Sequence, residues 1–251
     1  MDLGLDGRVY VITGGSRGLG LATAEALVAD GAKVVLSSRD RDRIEAAAER
    51  LGPGAAGVVA DLADPPTPQR LIDEATSRFG RLDGALISVG GPAVGSAASM
   101  TDDQWRTAFE TVFLGSLRAV RVIAGALGEG GAIGLVLSTS AKTPLPNLGL
   151  SNGLRPGLAM AAKDMADEYA PRGIRIVGLL PGRVLTDRNR ELFAATGDAA
   201  AEEARVTARI PMRRMGRPEE FGKVAAFALS PAASYLTGLL IPIDGGSLRA
   251  L

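Results

Sequence analysis

Short apolar runs recur along the chain, and each is followed by a longer segment whose apolar residues have helical spacing. The runs are rich in Val, Ile and Leu without alternating polar residues, which is typical of strands covered on both faces. Helical segments between such strands favour right-handed crossovers and a parallel sheet. Strands are predicted at residues 9–12, 33–36, 56–60, 85–88, 133–138, 174–180 and 239–243. The pattern therefore indicates an α/β, doubly wound, seven-stranded parallel sheet with helices on both faces.

The whole chain, residues 1–251, is predicted to form a single domain. No Pro-rich or Ser/Gly-rich linker divides it, and no internal repeat is present. Residues 187–215 are the least sheet-like stretch, rich in Ala and charged residues, and we expect them to form a lid over a substrate cleft. Periodicity alone also fits a flavodoxin-like sheet that binds no dinucleotide, so motifs must distinguish the two.

Composition narrows the classes of ligand. The 28 basic and 28 acidic side chains cancel, and no block of Lys or Arg offers a surface for nucleic acid or an acidic membrane. A small-molecule substrate is therefore expected. The absence of Cys and His excludes disulfides, thiolate catalysis and an imidazole base, and we expect no metal site. The first residues lack the apolar run of a signal peptide, so we expect a cytoplasmic protein.

A glycine-rich loop at residues 13–20 directly follows the first predicted strand and leads into a helix. In this context Gly14 permits a sharp turn, Gly18 lets the backbone approach a diphosphate, and Gly20 lets the helix pack on the sheet. The free N–H groups of the helix's first turn then bind the anion. The cofactor-binding residues predicted in this loop are Gly14, Ser16, Arg17, Gly18, Leu19 and Gly20.

The end of the second predicted strand bears on the choice between NADP and NAD. An NAD site places Asp or Glu there, roughly 20 residues after the last glycine, whereas this chain has Ser38 and Arg39. Together with Arg17, these side chains can bind a 2′-phosphate, so NADP(H) is favoured over NAD(H). Alternatively, both arginines are solvated surface charges. Asp61 and Leu62 follow the third strand and are candidates for the adenine edge, although Asp61 equally suits a turn cap.

Together these residues resemble the short-chain dehydrogenase/reductase family, in particular its β-ketoacyl-carrier-protein-reductase-like members. The resemblance covers nearly the whole chain. Besides residues 13–20 and Asp61, it rests on Gly90, Trp105, Ser138, Pro181, Gly182, Thr186 and residues 243–246. It implies a single-domain Rossmann fold, a carbonyl or alcohol substrate, and a homotetramer or homodimer formed through helices at residues 101–127 and 157–170. It also implies cofactor contacts from Ser88, Gly90, Pro181, Gly182, Val184 and Thr186.

The resemblance is incomplete at the reductive site. The family uses an Asn, a Ser, and a Tyr and a Lys four residues apart on one helix face, with the Tyr protonating the carbonyl oxygen. At these positions this chain has Val112, Ser138, Ser151 and Arg155. A serine hydroxyl binds a substrate oxygen but is a poor proton donor. An arginine can hold the nicotinamide ribose and stabilise an oxyanion, but it does not shuttle protons. Pro156 is expected to delay or kink the start of the helix.

Two questions stay open from the sequence. Lys142 becomes a proton donor if the cleft desolvates it, but it equally suits a solvated loop position, and Ser140 suits a plain turn hydroxyl. The chain is expected to be either an NADP(H)-dependent reductase or a cofactor-binding protein without redox turnover. The second class includes a dehydratase, an isomerase, a cyclase and a regulatory pseudo-enzyme. A purely structural protein leaves the glycine loop unexplained.

Overall fold

The computed structural model describes residues 2–194 and 197–250. Within these ranges each predicted strand is present, and all pair in parallel. The strands are β1 (Val9–Thr13), β2 (Lys33–Ser38), β3 (Ala55–Val59), β4 (Gly84–Ile87), β5 (Ala132–Val136), β6 (Arg175–Pro181) and β7 (Leu240–Ile243). Their order across the sheet is β3-β2-β1-β4-β5-β6-β7, which confirms the predicted doubly wound single domain.

Helices connect the strands. They are α1 (Gly18–Ala29), α2 (Arg41–Leu51), α3 (Thr67–Phe79), α4 (Asp102–Ala108), α5 (Gly115–Ala126), α6 (Gly149–Tyr169), α7 (Asp187–Ala194), α8 (Ala199–Thr207) and α9 (Pro218–Leu229). A π-helical stretch, Phe109–Leu114, joins α4 to α5. Among the residues that the structure describes, no helix is long and apolar enough to cross a membrane.

Two hydrophobic cores cover the two faces of the sheet. Helices α1, α2 and α9 bury side chains such as Leu27, Ile44 and Phe221 on one face. Helices α3, α5 and α6 bury side chains such as Leu71 and Ile123 on the other. Successive strand residues enter alternate cores because side chains of a strand point to opposite faces. This double burial explains why the strands are apolar at nearly every position.

The strand order reverses between β1 and β4, and one side chain joins the two strand ends there. The Thr13 hydroxyl donates to the Ser88 carbonyl at 2.7 Å and accepts from the Ser88 N–H at 2.8 Å. Chains leaving β1 and β4 pass to opposite faces, so a crevice opens at this reversal. Ser88, predicted as the last residue of a strand, lies just beyond β4.

Helix α6 corrects one expectation. Pro156 does not delay its start, because the helix begins at Gly149 and contains Pro156 within its run. Buried Leu150, Leu154 and Leu158 pack along its length, and such tertiary packing overrides a local preference of a few kcal/mol. The Asn152 side chain also bonds the N–H and the carbonyl of Leu145, each at 2.9 Å, which ties the first turn to the preceding loop.

Helices α7 and α8 occupy the segment predicted to be a lid. A small core of its own holds them together, formed by Phe193, Val206, Ile210 and Met215. A bridge between Val184 and Gly216 closes the base of the segment. Residues 195 and 196 of the predicted lid lie outside the described residues. The role of residues 187–215 as a lid stays a prediction.

Arg175 provides a test of this packing. Its side chain is buried and donates hydrogen bonds to three carbonyls, those of Ala228, Ser230 and Leu236. We expect Arg175→Met to lower the free energy of unfolding by about 3 kcal/mol or more, because each buried acceptor left unpaired costs about 1–3 kcal/mol. Urea denaturation measures the change. Arg106→Met, at an exposed helical ion pair, serves as control and should stay within about 0.5 kcal/mol of wild type; equal losses in both variants contradict the prediction.

Candidate active site

The carboxyl ends of the strands gather the predicted site residues. Because all strands run parallel, the segments that follow them meet along one edge of the sheet. Gly14 follows β1, Ser38 ends β2, and Ser88 follows β4. Further along the edge, Ser138 follows β5 and Gly182 follows β6. The structure thus brings the sequence-predicted residues to the edge where ligands of such sheets bind.

The backbone of the glycine loop adopts a shape that leaves no room for side chains at Gly14 and Gly20. Gly14 and Gly18 both have φ of +59°, a conformation that favours glycine. A Cβ added to Gly14 would lie 2.8 Å from the Ser88 carbonyl oxygen, and a Cβ added to Gly20 would lie 2.4 Å from the Gly14 carbonyl oxygen. Both distances are too short for a side chain. Helix α1 starts without a side-chain cap, so the N–H groups of its first turn, which includes Leu19, are directed at an anion. The loop therefore fits a dinucleotide diphosphate.

Polar side chains surround the end of β2. The Ser16 hydroxyl donates to the Ser38 hydroxyl at 3.0 Å, which joins the glycine loop to this strand. Arg39 is exposed and lies 3.8 Å from the Asp61 carboxylate. Residues 37–39 contain no carboxylate that could accept from a ribose diol. The local charge thus fits a phosphate better than a diol.

Arg17 makes a contact that the sequence did not indicate. Its guanidinium pairs with the Glu191 carboxylate of α7 at 3.0 Å, and both side chains are about half exposed. A Cβ added to Gly18 would lie 3.6 Å from the Thr186 methyl group, so Thr186 also lies close to this loop. The start of the predicted lid therefore touches the glycine loop. The glycine loop and α7 are far apart in the sequence, and no motif links them. The Arg17–Glu191 pair is therefore visible only in the folded structure.

The remaining predicted cofactor residues lie on both sides of the crevice. Asp61 accepts from the Ala63 N–H at 3.0 Å, so it does cap a turn. Leu62 is buried beside it, and Gly90 lies exposed beyond β4. On the β6 side, the predicted residues run from the last residue of β6 to the residue before α7: Pro181, Gly182, Val184 and Thr186.

The serine next to Ser151 is Ser140, and not Ser138. The hydroxyls of Ser140 and Ser151 lie 2.9 Å apart, and both residues are buried. Ser138 instead accepts from the Ser140 N–H at 3.1 Å and caps the short helical turn Thr139–Ala141. Sequence spacing selects Ser138 as the partner of Ser151. The turn Thr139–Ala141 instead brings the Ser140 hydroxyl against Ser151. The sequence suggests no more than a turn hydroxyl for Ser140, whereas the structure pairs it with Ser151.

Arg155 lies one helical turn after Ser151, on the same face of α6. It is 5 % exposed, and its Nη1 donates to the Val136 carbonyl at 2.6 Å at the end of β5. Within the described residues the buried Nε of Arg155 has no hydrogen-bond partner, and the guanidinium forms no ion pair. Burial lowers the pKa of the Arg155 guanidinium to about 10, which leaves it charged at neutral pH.

Two further positions complete the site. Val112, which the resemblance places at the position of the family's Asn, lies in the π-helical stretch and packs with Leu150 and Leu154 of α6. Lys142 follows the turn Thr139–Ala141, is half-buried, and donates its backbone N–H to the Thr139 carbonyl at 3.0 Å. The structure thus brings together two paired hydroxyls and, one helical turn away, a buried cation.

Comparison with known proteins agrees with this geometry. The family model of enoyl-(acyl carrier protein) reductases matches residues 14–247. The 3-oxoacyl-(acyl-carrier-protein) reductase of Salmonella typhimurium is 28 % identical over 97 % of this chain and 98 % of its own length. Dehydrogenase/reductase SDR family member 4 of Bos taurus is 31 % identical over 98 % of this chain and 89 % of its own.

A solved structure extends the comparison to three dimensions. The L-sorbose reductase of Gluconobacter frateurii, described as a complex with NADPH and L-sorbose, superposes with a TM-score of 0.94 at 30 % identity. The alignment covers 100 % of both chains. Fold, glycine loop and full-length similarity agree, and the chain belongs to the short-chain dehydrogenase/reductase family.

Proposed function

We propose that this protein is an NADP(H)-dependent oxidoreductase that acts on a carbonyl or alcohol substrate through an atypical site. The observation that carries the proposal is the glycine loop, whose backbone fits a diphosphate and whose neighbours include arginines in place of a carboxylate. The L-sorbose reductase, whose solved complex contains NADPH, supports the same choice of cofactor.

We assign the cofactor residues by their places at the sheet edge. Gly14, Ser16, Gly18, Leu19 and Gly20 would hold the diphosphate, while Arg17, Ser38 and Arg39 would hold the 2′-phosphate. Asp61 and Leu62 would border the adenine. The nicotinamide side would be lined by Ser88, Gly90, Pro181, Gly182, Val184 and Thr186. When bound, the dinucleotide supplies a hydride or accepts one.

The protein's own residues act on the substrate oxygen. Ser151 binds that oxygen through its hydroxyl, and Ser140 aligns the Ser151 hydroxyl across their 2.9 Å contact. Arg155 adds a positive charge in a desolvated position, where charge stabilises an oxyanion most. Ser138 fixes the turn that carries Ser140. We keep Lys142 as the one titratable candidate for proton donation from this loop.

A second candidate function is a dinucleotide-binding protein without redox turnover, such as a dehydratase, an isomerase, a cyclase or a regulatory pseudo-enzyme. One observation favours it. Ser151 and Arg155 occupy the positions of the family's Tyr and Lys, and neither side chain donates a proton readily near neutral pH. Binding and stabilisation of charge then suffice for its role.

We also propose that copies of the chain assemble as a homotetramer or homodimer through α5 and α6, as the resemblance implies. Met160 on α6 is 72 % exposed and Phe109, just before α5, is 42 % exposed. Apolar side chains at this exposure suit an interface between subunits. The cytoplasmic location stays a prediction.

Hydride transfer is the direct test of the proposed function. We expect the purified protein to oxidise NADPH in the presence of at least one member of a panel of aldehydes, ketones and keto acids. With 4-deuterated NADPH, the deuterium should appear at one face of the product carbon, as mass spectrometry and NMR detect. NADPH that binds with no deuterium transferred to any substrate contradicts the reductase and supports the non-redox candidate.

Cofactor choice depends on Arg39. We expect Arg39→Met to weaken NADP⁺ binding by about tenfold or more, because a charge-assisted hydrogen bond to phosphate contributes about 1.5–3 kcal/mol. NAD⁺ binding should change by less than about twofold, since NAD⁺ lacks that phosphate. Isothermal titration calorimetry measures both. Arg41→Met, at an exposed pair with Glu45 on α2, is the matched control; equal effects of the two variants on NADP⁺ binding contradict the assignment.

The pH dependence follows from the charge of Arg155. Its pKa of about 10 lies below the ordinary arginine value, so the cation is present at neutral pH and is lost as pH rises through that value. We expect kcat/KM for reduction to be flat between about pH 6 and 9 and to decline above about pH 10. Initial rates in overlapping buffers measure the profile. An inflection between these limits that Lys142→Met removes would instead assign proton donation to Lys142.

A further inference from the structure

Two arginines are buried in this fold, and they differ in how their charge is compensated. Arg175 donates to three carbonyls. Arg155, 5 % exposed, donates to the Val136 carbonyl alone among the described residues, and its Nε is buried with no partner. No described carboxylate pairs with it, and burial is the one influence on its pKa. Arg155 is therefore a buried cation whose counter-charge the described protein does not supply.

Such a cation is costly for folding. Burying a charge removes its hydration, and that loss is recovered only where an opposite charge and well-aligned hydrogen bonds surround it. An apolar side chain of similar volume at this position fills the space without that cost. The stability of the protein alone thus gives no reason for an arginine here. A ligand that brings a negative charge does give one.

The position of Arg155 indicates where this ligand lies. Ser151 precedes it by one helical turn on the same face, and Val136 ends β5 at the sheet edge where the substrate site lies. Arginine binds carboxylates through two parallel N–H groups, and Nε–H is commonly one of them. With one hydrogen bond holding the guanidinium, its unpaired edge can turn toward a carboxylate whose other contact is the Ser151 hydroxyl.

We propose that Ser151 and Arg155 bind a substrate carboxylate that lies on the carbon next to the reacting one, so that this pair contacts both the reacting oxygen and a carboxylate oxygen. The substrate class is then a small 2-oxo or 2-hydroxy acid. This inference rests on the proposed function and specifies its substrate. A transient oxyanion compensates the cation only during the reaction. A carboxylate compensates it throughout the bound state, which suits a charge that is permanently buried.

Matched ligands test the proposal. Pyruvate and 2-oxohexanoate are titrated calorimetrically into the protein, with and without saturating NADP⁺, beside their neutral counterparts methyl pyruvate and methyl 2-oxohexanoate. We expect at least one acid to bind about tenfold or more tightly than its neutral counterpart. Arg155→Met should remove that preference, and Ser151→Ala should reduce it several-fold. Equal binding of the acids and their methyl esters, no binding of either acid, or an unchanged preference in Arg155→Met overturns the proposal.

Stability supplies an independent readout. We expect the thermal midpoint of Arg155→Met, without ligand, to lie close to or above that of wild type, because removal of the buried charge offsets the loss of one hydrogen bond, to the Val136 carbonyl. Arg175→Met, which leaves three carbonyls without a donor, should lower it. Saturating 2-oxo acid should raise the midpoint of wild type and leave Arg155→Met unchanged. If Arg155→Met loses as much stability as Arg175→Met, Arg155 is structural and the inference fails. Arg155→Lys, which keeps the charge, should retain part of the preference for acids.

The outcomes separate this inference from the proposed function. Absence of NADP⁺ binding or of hydride transfer refutes the proposed function, whereas an acid preference that depends on Arg155 still establishes the anion site. Hydride transfer to neutral carbonyls alone, with no acid preference, leaves the proposed function intact and refutes the inference.

Discussion

Thr13 holds the ends of β1 and β4 together at the point where the strand order of the sheet reverses. Its hydroxyl uses both its donor and its acceptor capacity on the backbone of Ser88. This contact sets the width of the crevice, because Gly14 turns against the same Ser88 carbonyl with no room for a side chain. The position of α1, and hence of its uncapped N–H groups, depends on that turn. The diphosphate cradle is thus a consequence of how two neighbouring strands end.

The cofactor half and the substrate half of the site are determined by different features of the chain. The cofactor half depends on backbone conformation, which glycines at fixed positions specify and few other residues permit. The substrate half depends on side chains of α6 and of the turn after β5, which change without disturbing the sheet. This is consistent with a chain that keeps the family's fold over its full length while, on the proposed assignment, Ser151 and Arg155 take the places of the family's proton-donating pair. Apolar packing of Val112 against Leu150 and Leu154 supports α6 without the Asn.

Sequence patterns predict the fold well and the substrate site less well, for physical reasons. Strands buried on both faces are apolar throughout, so their positions follow from local composition. The glycine loop is likewise specified by neighbouring residues in the sequence, residues 13–20. The pairing of Ser140 with Ser151 depends on a short turn that shifts which serine points inward. The start of α6 before Pro156 depends on tertiary packing, and the Arg17–Glu191 pair joins segments far apart in the chain. Long-range contacts of this kind leave no periodic signal.

Under the proposed function, stabilisation of charge and transfer of a proton are separate requirements in this site. A tyrosine with a nearby lysine both stabilises and protonates an oxygen, whereas Ser151 with Arg155 stabilises charge and holds its own protons. An oxygen that develops negative charge here is therefore held as an anion, and a proton must come from elsewhere, either from Lys142 or from water. Because Arg155 keeps its charge up to a pKa of about 10 despite burial, its environment is electrostatically incomplete without an anionic ligand. On the proposed assignment, the same residue that weakens proton transfer thus strengthens selection for substrates that carry a negative charge.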